Sequence, residues 1–112
     1  MVSALDQAIE CCQDAFAIYA QTGDWYGQWS AREIEGIARL SRGQLSQAND
    51  CLQQALATAR QASDPRTEGM SLIWLGAIHE RHGSFETAIA LREQAVAALK
   101  QARNKWQHAG GP

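Results

Sequence analysis

The feature that most constrains the fold is a pattern of residues that recurs at a spacing of 40, as from Gly36 to Gly76 and from Gly43 to Gly83. Three segments repeat one order of large and small side chains: Leu5, Ala8, Cys12, Ala15 and Phe16, then Leu45, Ala48, Leu52, Ala55 and Leu56, then Phe85, Ala88, Arg92, Ala95 and Val96. A fixed period of about 20 to 50 residues is typical of repeat arrays, in which each unit covers the apolar face of its neighbour. The 112 residues therefore predict one domain made of repeated units.

Within each period the apolar residues have helical spacing. From Leu45 they follow at i+3, i+7, i+10 and i+11, which forms a stripe along one helix face, and no segment shows the alternation of a strand. Asp64-Pro65 predicts a helix start, because the Asp carboxylate accepts from first-turn N–H groups and proline is tolerated at the first helical position. Asp24 is expected to cap its helix in the same way. Helix ends are predicted at Gly23, Gly43 and Gly83, since glycine readily adopts the left-handed conformation found there.

The predicted fold class is all-α, with antiparallel helical hairpins stacked as a solenoid of five helices. We expect these helices at 3–21, 25–42, 45–61, 65–82 and 85–103. Their short connections force consecutive helices to run antiparallel. The single domain, 1–112, then comprises an unpaired helix (3–21), a first, degenerate hairpin (25–61), a second hairpin (65–103) and a tail (104–112) that we expect to be frayed.

Composition narrows the class of partner and the compartment. The formal net charge is -2, and the Lys and Arg residues are dispersed among Asp and Glu, so neither a nucleic-acid partner nor a membrane partner is predicted. The N-terminus lacks a basic and apolar leader, and no apolar stretch is long enough to span a bilayer, so a cytoplasmic location is expected. Three cysteines at irregular spacing, Cys11, Cys12 and Cys51, suit a reducing compartment. We interpret the adjacent Cys11 and Cys12 as packing residues.

The second unit resembles the tetratricopeptide repeat, whose pattern is W-x2-L-G-x2-Y followed by A-x3-F. Leu75, Gly76 and Ala88 match this pattern, while Leu72, His79 and Arg92 stand at the positions of its Trp, Tyr and Phe. Because the period is 40 and not about 34, the chain is more similar to the longer repeats of kinesin light chain and of bacterial regulatory proteins. The resemblance covers residues 4 to 103.

This resemblance implies a concave groove lined by the first helix of each hairpin. The implied groove residues are Ser30, Glu33, Ile37 and Leu40 from the first unit, and Met70, Ile73, Ala77, Glu80 and Arg81 from the second. The Lys and Asn clamp with which some members of the family hold a C-terminal carboxylate is not visible, since Glu33 and Ile37 occupy its first-unit positions. The expected function is a non-enzymatic module that binds a protein or peptide.

An alternative function is a sensory or regulatory helical-repeat segment of a larger bacterial signalling protein. Such a segment would bind a small ligand or self-associate. Because the final helix ends where another hairpin would begin, a homo-oligomer through the open helical ends is a further hypothesis. A longer array, of which this chain is one piece, would cover the same ends.

Three polar residues of the first unit depart from the pattern. Arg32, Glu35 and Arg39 stand where the second unit has Leu72, Leu75 and His79. Their spacing lets Glu35 pair with both arginines along one helix face. One interpretation is that this helix is rotated or lies partly open to water, with Ile34, Ile37, Ala38 and Leu40 carrying its burial, and the other is a functional charged pocket.

Four aromatic residues lie near predicted helix ends: Trp25, Tyr26, Trp29 and Trp106. Aromatic side chains at such places either cover an exposed core edge or contact a partner. The sequence leaves both roles open.

Catalytic and metal chemistry have weak signals. His79 and His82 lie one helical turn apart, but the H-E-x-x-H spacing is not present and the sequence places no third ligand. No nucleophile motif, phosphate loop or dinucleotide-binding glycine pattern occurs. We therefore expect no enzyme activity, no metal and no cofactor.

Overall fold

A computed structural model describes residues 2–111, which contain five α-helices and no strand. The helices are α1 (Ala4–Thr22), α2 (Trp25–Ser41), α3 (Leu45–Gln61), α4 (Pro65–Arg81) and α5 (Phe85–His108). The all-α prediction and the helix order are confirmed. Helices α2 and α4 have the same length, 17 residues, and both of their bounds differ by 40 in residue number.

Side-chain caps begin three of the helices. The Oγ of Ser3 accepts from the N–H of Asp6 at 3.1 Å, and the Asp6 carboxylate accepts from the N–H of Ser3 at 3.4 Å. The carboxylates of Asp24 and Asp64 accept from the N–H groups of Gly27 and Thr67 at 2.9 and 3.0 Å. Both predicted aspartate caps are therefore confirmed.

The predicted helix ends at glycine are also confirmed. Gly23, Gly43 and Gly83 have φ angles of 73°, 77° and 82°, a conformation in which a Cβ atom crowds the backbone. The corresponding turn between α3 and α4 uses Ser63, with a φ of 53°. These turns reverse the chain within two or three residues.

The helices pack as successive antiparallel neighbours. Gly36 of α2 faces Leu52 of α3. Trp29, near the start of α2, packs with Ala59, near the end of α3, so the two helices run in opposite directions. Gly76 faces Arg92 in the same way between α4 and α5. Helix α3 also packs against α4, α1 packs against α2, and α2 touches α4. The main hydrophobic cluster lies between the hairpins and contains Leu40, Ala48, Leu52, Leu56, Leu72, Leu75, Ile78 and Ala95.

The last helix is longer than predicted. Helix α5 continues to His108, so the expected end at residue 103 and the expected frayed segment are wrong for residues 104–108. Asn104 occupies the position of Asp24 and Asp64, but no proline or glycine follows it to stop the helix until Gly110, which has a φ of 90°.

Within residues 2–111, no helix combines the length and the apolar character that crossing a bilayer requires.

Candidate functional site

Two side chains join α2 to α4, the helices expected to line the groove. The indole N–H of Trp29 donates to the Oγ of Ser71 at 2.9 Å, and both residues are buried. At the other end of the helix pair, the Arg81 guanidinium donates to the carbonyl of Leu40 at 3.0 Å. The two helices are thereby held side by side along their length.

The nine expected groove residues differ in how much of each is open to solvent. Glu33 and Leu40 are buried, and Ser30, Ile37, Met70 and Ala77 are partly buried, whereas Ile73, Glu80 and Arg81 are exposed. Met70 packs against Trp29 and the small residues Ala55 and Ala59 of α3. The most open apolar position of the set is Ile73, which is 43% exposed.

Glu33 is a buried carboxyl group without a partner for one of its oxygens. The residue is 5% exposed, and no hydrogen-bond donor within residues 2–111 reaches its Oε1. Burial raises the pKa of Glu33 to about 7, against a smaller lowering by the positive charge of Arg66 on α4. Glu33 therefore changes its charge near neutral pH.

Glu80 of α4 forms an ion pair with the second helix of its own hairpin, α5. Its carboxylate lies 2.6 Å from the Arg92 guanidinium, while the stem of Arg92 packs over Gly76. Arg92, at the position of the family's Phe, thus covers apolar surface with its methylenes and keeps its charge in water.

Ser30 borders helix α1. With Ile34 and Ala31 it lines a shallow cleft of about 230 Å³ against Cys11, Cys12, Ala15 and Tyr19 of α1. In this cleft the ring of Tyr19 packs directly on Gly27.

Only the centre of the charged stripe of α2 is buried. Glu35 is 3% exposed and pairs with Arg32 at 3.2 Å and Arg39 at 2.9 Å, so the predicted pairing is confirmed. The two arginine side chains stay partly open to water, with exposures of 22% and 18%. Arg32 also lies over the ring of Phe16, 3.7 Å from its centroid. The interpretation of a rotated or partly open helix assigned burial to Ile34, which is instead 50% exposed. The stripe is turned toward neighbouring helices, and Ile34 takes the outer face.

The aromatic residues divide into one buried and three exposed rings. Trp29 is 3% exposed and belongs to the core, so of the two roles left open for it the structure favours covering the core. The reason is the small surface formed by Ala55 and Ala59, which accommodates the indole. Trp25, Tyr26 and Trp106 are exposed by 37%, 48% and 55%, and Trp25 and Tyr26 meet edge to face at a centroid distance of 5.8 Å.

The two histidines line a cleft between α3 and α4. His79 and His82 border a volume of about 410 Å³ together with Leu45, Ser46, Asn49, Gln53 and Ile78. Among residues 2–111, no three or more His, Cys, Asp and Glu side chains converge as metal ligands would. The cysteines are free: Cys12 is buried as expected, Cys51 is buried too, and Cys11 is exposed, contrary to its interpretation as a packing residue.

A further cleft, between α4 and α5, was not predicted from the sequence. It encloses about 570 Å³ between the start of α4 and the end of α5, where Leu99, Ala102 and Trp106 provide the apolar surface and Arg66, Arg103 and Lys105 the charges. The cleft exists because α5 continues past the position at which α3 ends. The missing stop signal after Asn104 was the only sequence feature that could have indicated it.

Comparisons of the chain with protein-family models, curated proteins and solved structures found no match.

Proposed function

We propose that this chain is a non-enzymatic interaction module of the tetratricopeptide type. In this proposal the two helical hairpins belong to a solenoid, and a protein or peptide partner binds along α2 and α4. The 40-residue offset of the helix bounds and the direct contact between α2 and α4 support the arrangement. A cytoplasmic location forms part of the same proposal.

The observation that carries the proposal is an apolar stripe on α4. Met70, Ile73 and Ala77 are spaced i, i+3 and i+7, so they lie along one face of the helix. Met70 fixes the stripe to the core, and Ile73 leaves an aliphatic side chain open to solvent. A row of apolar side chains at helical spacing is a surface against which a partner segment packs.

Three of the buried polar side chains, Glu35, Thr67 and Ser71, support a structural rather than a catalytic use. Glu35 is held in two ion pairs, Ser71 accepts from the Trp29 indole, and the Thr67 hydroxyl donates to the Asp64 carboxylate at 2.8 Å. Each of these groups stabilises helix packing or a helix start. A reacting group would instead have to face a substrate.

The test compares two exposed isoleucines on different faces. Ile73→Asp places a charge on the α4 stripe, while Ile34→Asp places one on the α2 face near α1, at a similar exposure of 50%. Each variant is used to capture partners that are then quantified by mass spectrometry, and circular dichroism checks the fold. We expect partners to be lost with Ile73→Asp and retained with Ile34→Asp. Equal retention with both variants would show that α4 is not the binding surface.

A further inference from the structure

The Lys and Arg side chains that lack an ion pair within residues 2–111 cluster at one end of the molecule. Of the ten Lys and Arg residues, five form ion pairs with carboxylates: Arg32, Arg39, Arg42, Arg60 and Arg92. Arg81 donates to the carbonyl of Leu40. The remaining four are Arg66, Lys100, Arg103 and Lys105, which lie at the α4–α5 end. Of these, Lys105 also donates to the carbonyl of Ser63 at 3.5 Å.

Three of these four cations line the cleft between α4 and α5. Arg66, Arg103 and Lys105 surround its apolar surface, and Asp64, which supplies the only carboxylate that residues 2–111 contribute to its lining, is already engaged as the cap of α4. Trp106 exposes 55% of its surface here. The cleft is thus suited to a segment that carries negative charges beside an apolar side chain.

Helix α1, at the opposite end of the chain, carries negative charges beside an apolar side chain. It contains three acidic residues and no basic residue. Asp6 pairs with Arg42, but Glu10 and Asp14 have no ion pair within the described part of the chain. Because Glu10, Asp14 and Ile18 are spaced by four residues, they lie along one face of α1, on which Ile18 is 59% exposed.

The cleft and the acidic face do not meet within one molecule. Helix α1 contacts α2 alone, and α5 contacts α4 alone. Since these two surfaces belong to opposite ends of the helix order, an α1 that reaches the cleft has to come from another molecule.

We propose that the cleft between α4 and α5 binds the acidic face of helix α1 from a second copy of this chain. In this head-to-tail contact, Glu10 and Asp14 face the Arg103 and Lys105 side chains, and Ile18 packs toward Trp106. The contact joins two different surfaces of the chain. A dimer therefore still has one free cleft and one free acidic face of α1, and further copies can add to it. It does not depend on the α4 stripe, and its failure leaves the proposed partner binding untouched.

The experiment is sedimentation velocity on the full chain from about 10 to about 500 µM, with charge-reversal variants. Arg103→Glu with Lys105→Glu reverses the cleft, and Glu10→Lys with Asp14→Lys reverses α1. Both pairs are exposed, so the fold is expected to persist, and circular dichroism checks it. Asp50→Lys with Glu86→Lys is the matched control, because these carboxylates are exposed and lie outside both surfaces.

We expect the wild-type chain to form dimers and larger species as its concentration rises, and to lose them between about 50 and about 300 mM NaCl. Each reversed variant should associate at least about tenfold more weakly, because like charges then face each other. An equimolar mixture of the two variants should associate again, and the control should behave as the wild type.

Two results would overturn the proposal. One is a wild-type chain that stays monomeric throughout, and the other is association that both reversed variants retain. In the first case, binding of polyglutamate to the monomeric wild-type chain is measured as well, together with its loss in Arg103→Glu with Lys105→Glu. That result would assign the cleft to a foreign acidic partner instead of a second copy.

Discussion

The indole Nε1 of Trp29 donates a hydrogen bond to the Oγ of Ser71 across 2.9 Å, and this bond joins the first helices of the two hairpins. Both side chains are buried, at 3% and 0% exposure. A buried N–H group that loses its acceptor keeps the full cost of its removal from water. The relative position of α2 and α4, and so the surface between them, depends on this pair.

Ser71→Ala should therefore lower the free energy of unfolding by about 1 to 3 kcal/mol. The same substitution in a Trp29→Phe background should cost less, because no indole N–H remains to be left unpaired. Urea unfolding of the four chains measures the difference as a double-mutant cycle. An equal cost of Ser71→Ala in both backgrounds would show that the hydrogen bond does not stabilise the fold.

Glu33 should make stability depend on pH. Because burial raises its folded pKa from 4.5 to about 7, the folded chain holds this proton more tightly than the unfolded chain does. The contribution of Glu33 to the free energy of unfolding is therefore largest below pH 4.5, and this contribution is lost as pH rises through about 7. The full loss above that range is about 3 kcal/mol.

Glu33→Gln removes this titration, so the variant should be more stable than the wild type at pH 8 and close to it at pH 5. Urea unfolding at the two pH values tests the expectation. Glu86→Gln, which changes an exposed carboxylate on α5, is the control. A stability difference between Glu33→Gln and the wild type that is the same at both pH values would contradict the burial of an ionisable Glu33.

Gly36 and Gly76 occupy equivalent positions but should differ in their tolerance of a side chain. A Cβ at Gly36 would lie 2.7 Å from the Cγ of Leu52, which is fully buried, whereas at Gly76 the nearest atom is the Cγ of Arg92 at 3.3 Å. We expect Gly36→Ala to destabilise the chain by about 1 to 3 kcal/mol through overpacking.

Gly76→Ala should instead be neutral or stabilising by up to about 1 kcal/mol, since alanine favours the helix and the exposed stem of Arg92 can move. Thermal unfolding of the two variants provides the comparison. The interpretation of the Leu52 contact fails if Gly36→Ala is no less stable than Gly76→Ala.

Arg39 should contribute more to stability than Arg42, although both form ion pairs. The carboxylate of Glu35 that Arg39 contacts has a side-chain exposure of 4%, while the Asp6 partner of Arg42 is 40% exposed. Arg39→Ala leaves a buried charge with one partner fewer and should cost about 3 kcal/mol. Arg42→Ala should cost less than about 1 kcal/mol, because water replaces its contact. Denaturant unfolding gives both values. Similar losses of stability in Arg39→Ala and Arg42→Ala would show that Glu35 is accessible to solvent.

Local chemistry in the sequence was sufficient to predict the helices. Asp24 and Asp64 cap helix starts, Gly23, Gly43 and Gly83 end helices, and each assignment depends only on residues within one turn. The apolar spacing from Leu45 onward predicted the buried face of α3 correctly, since Leu52 and Ala55 are fully buried. The end of α5 was predicted wrongly because no local stop signal marks it, and an absent signal is harder to recognise than a present one.

Tertiary contacts alone decided which polar and aromatic side chains are buried. Glu35 and Ile34 are adjacent in the sequence, yet the carboxylate is buried and paired with two arginines while the isoleucine faces water. Trp29 is covered because the alanines of α3 and Ser71 of α4 create a space for the indole. The cleft beside Trp106 likewise needs the ends of two helices that are 40 residues apart. Helix formation is determined by neighbours in the chain. Burial is determined by neighbours in space, and these are known only once the helices have packed.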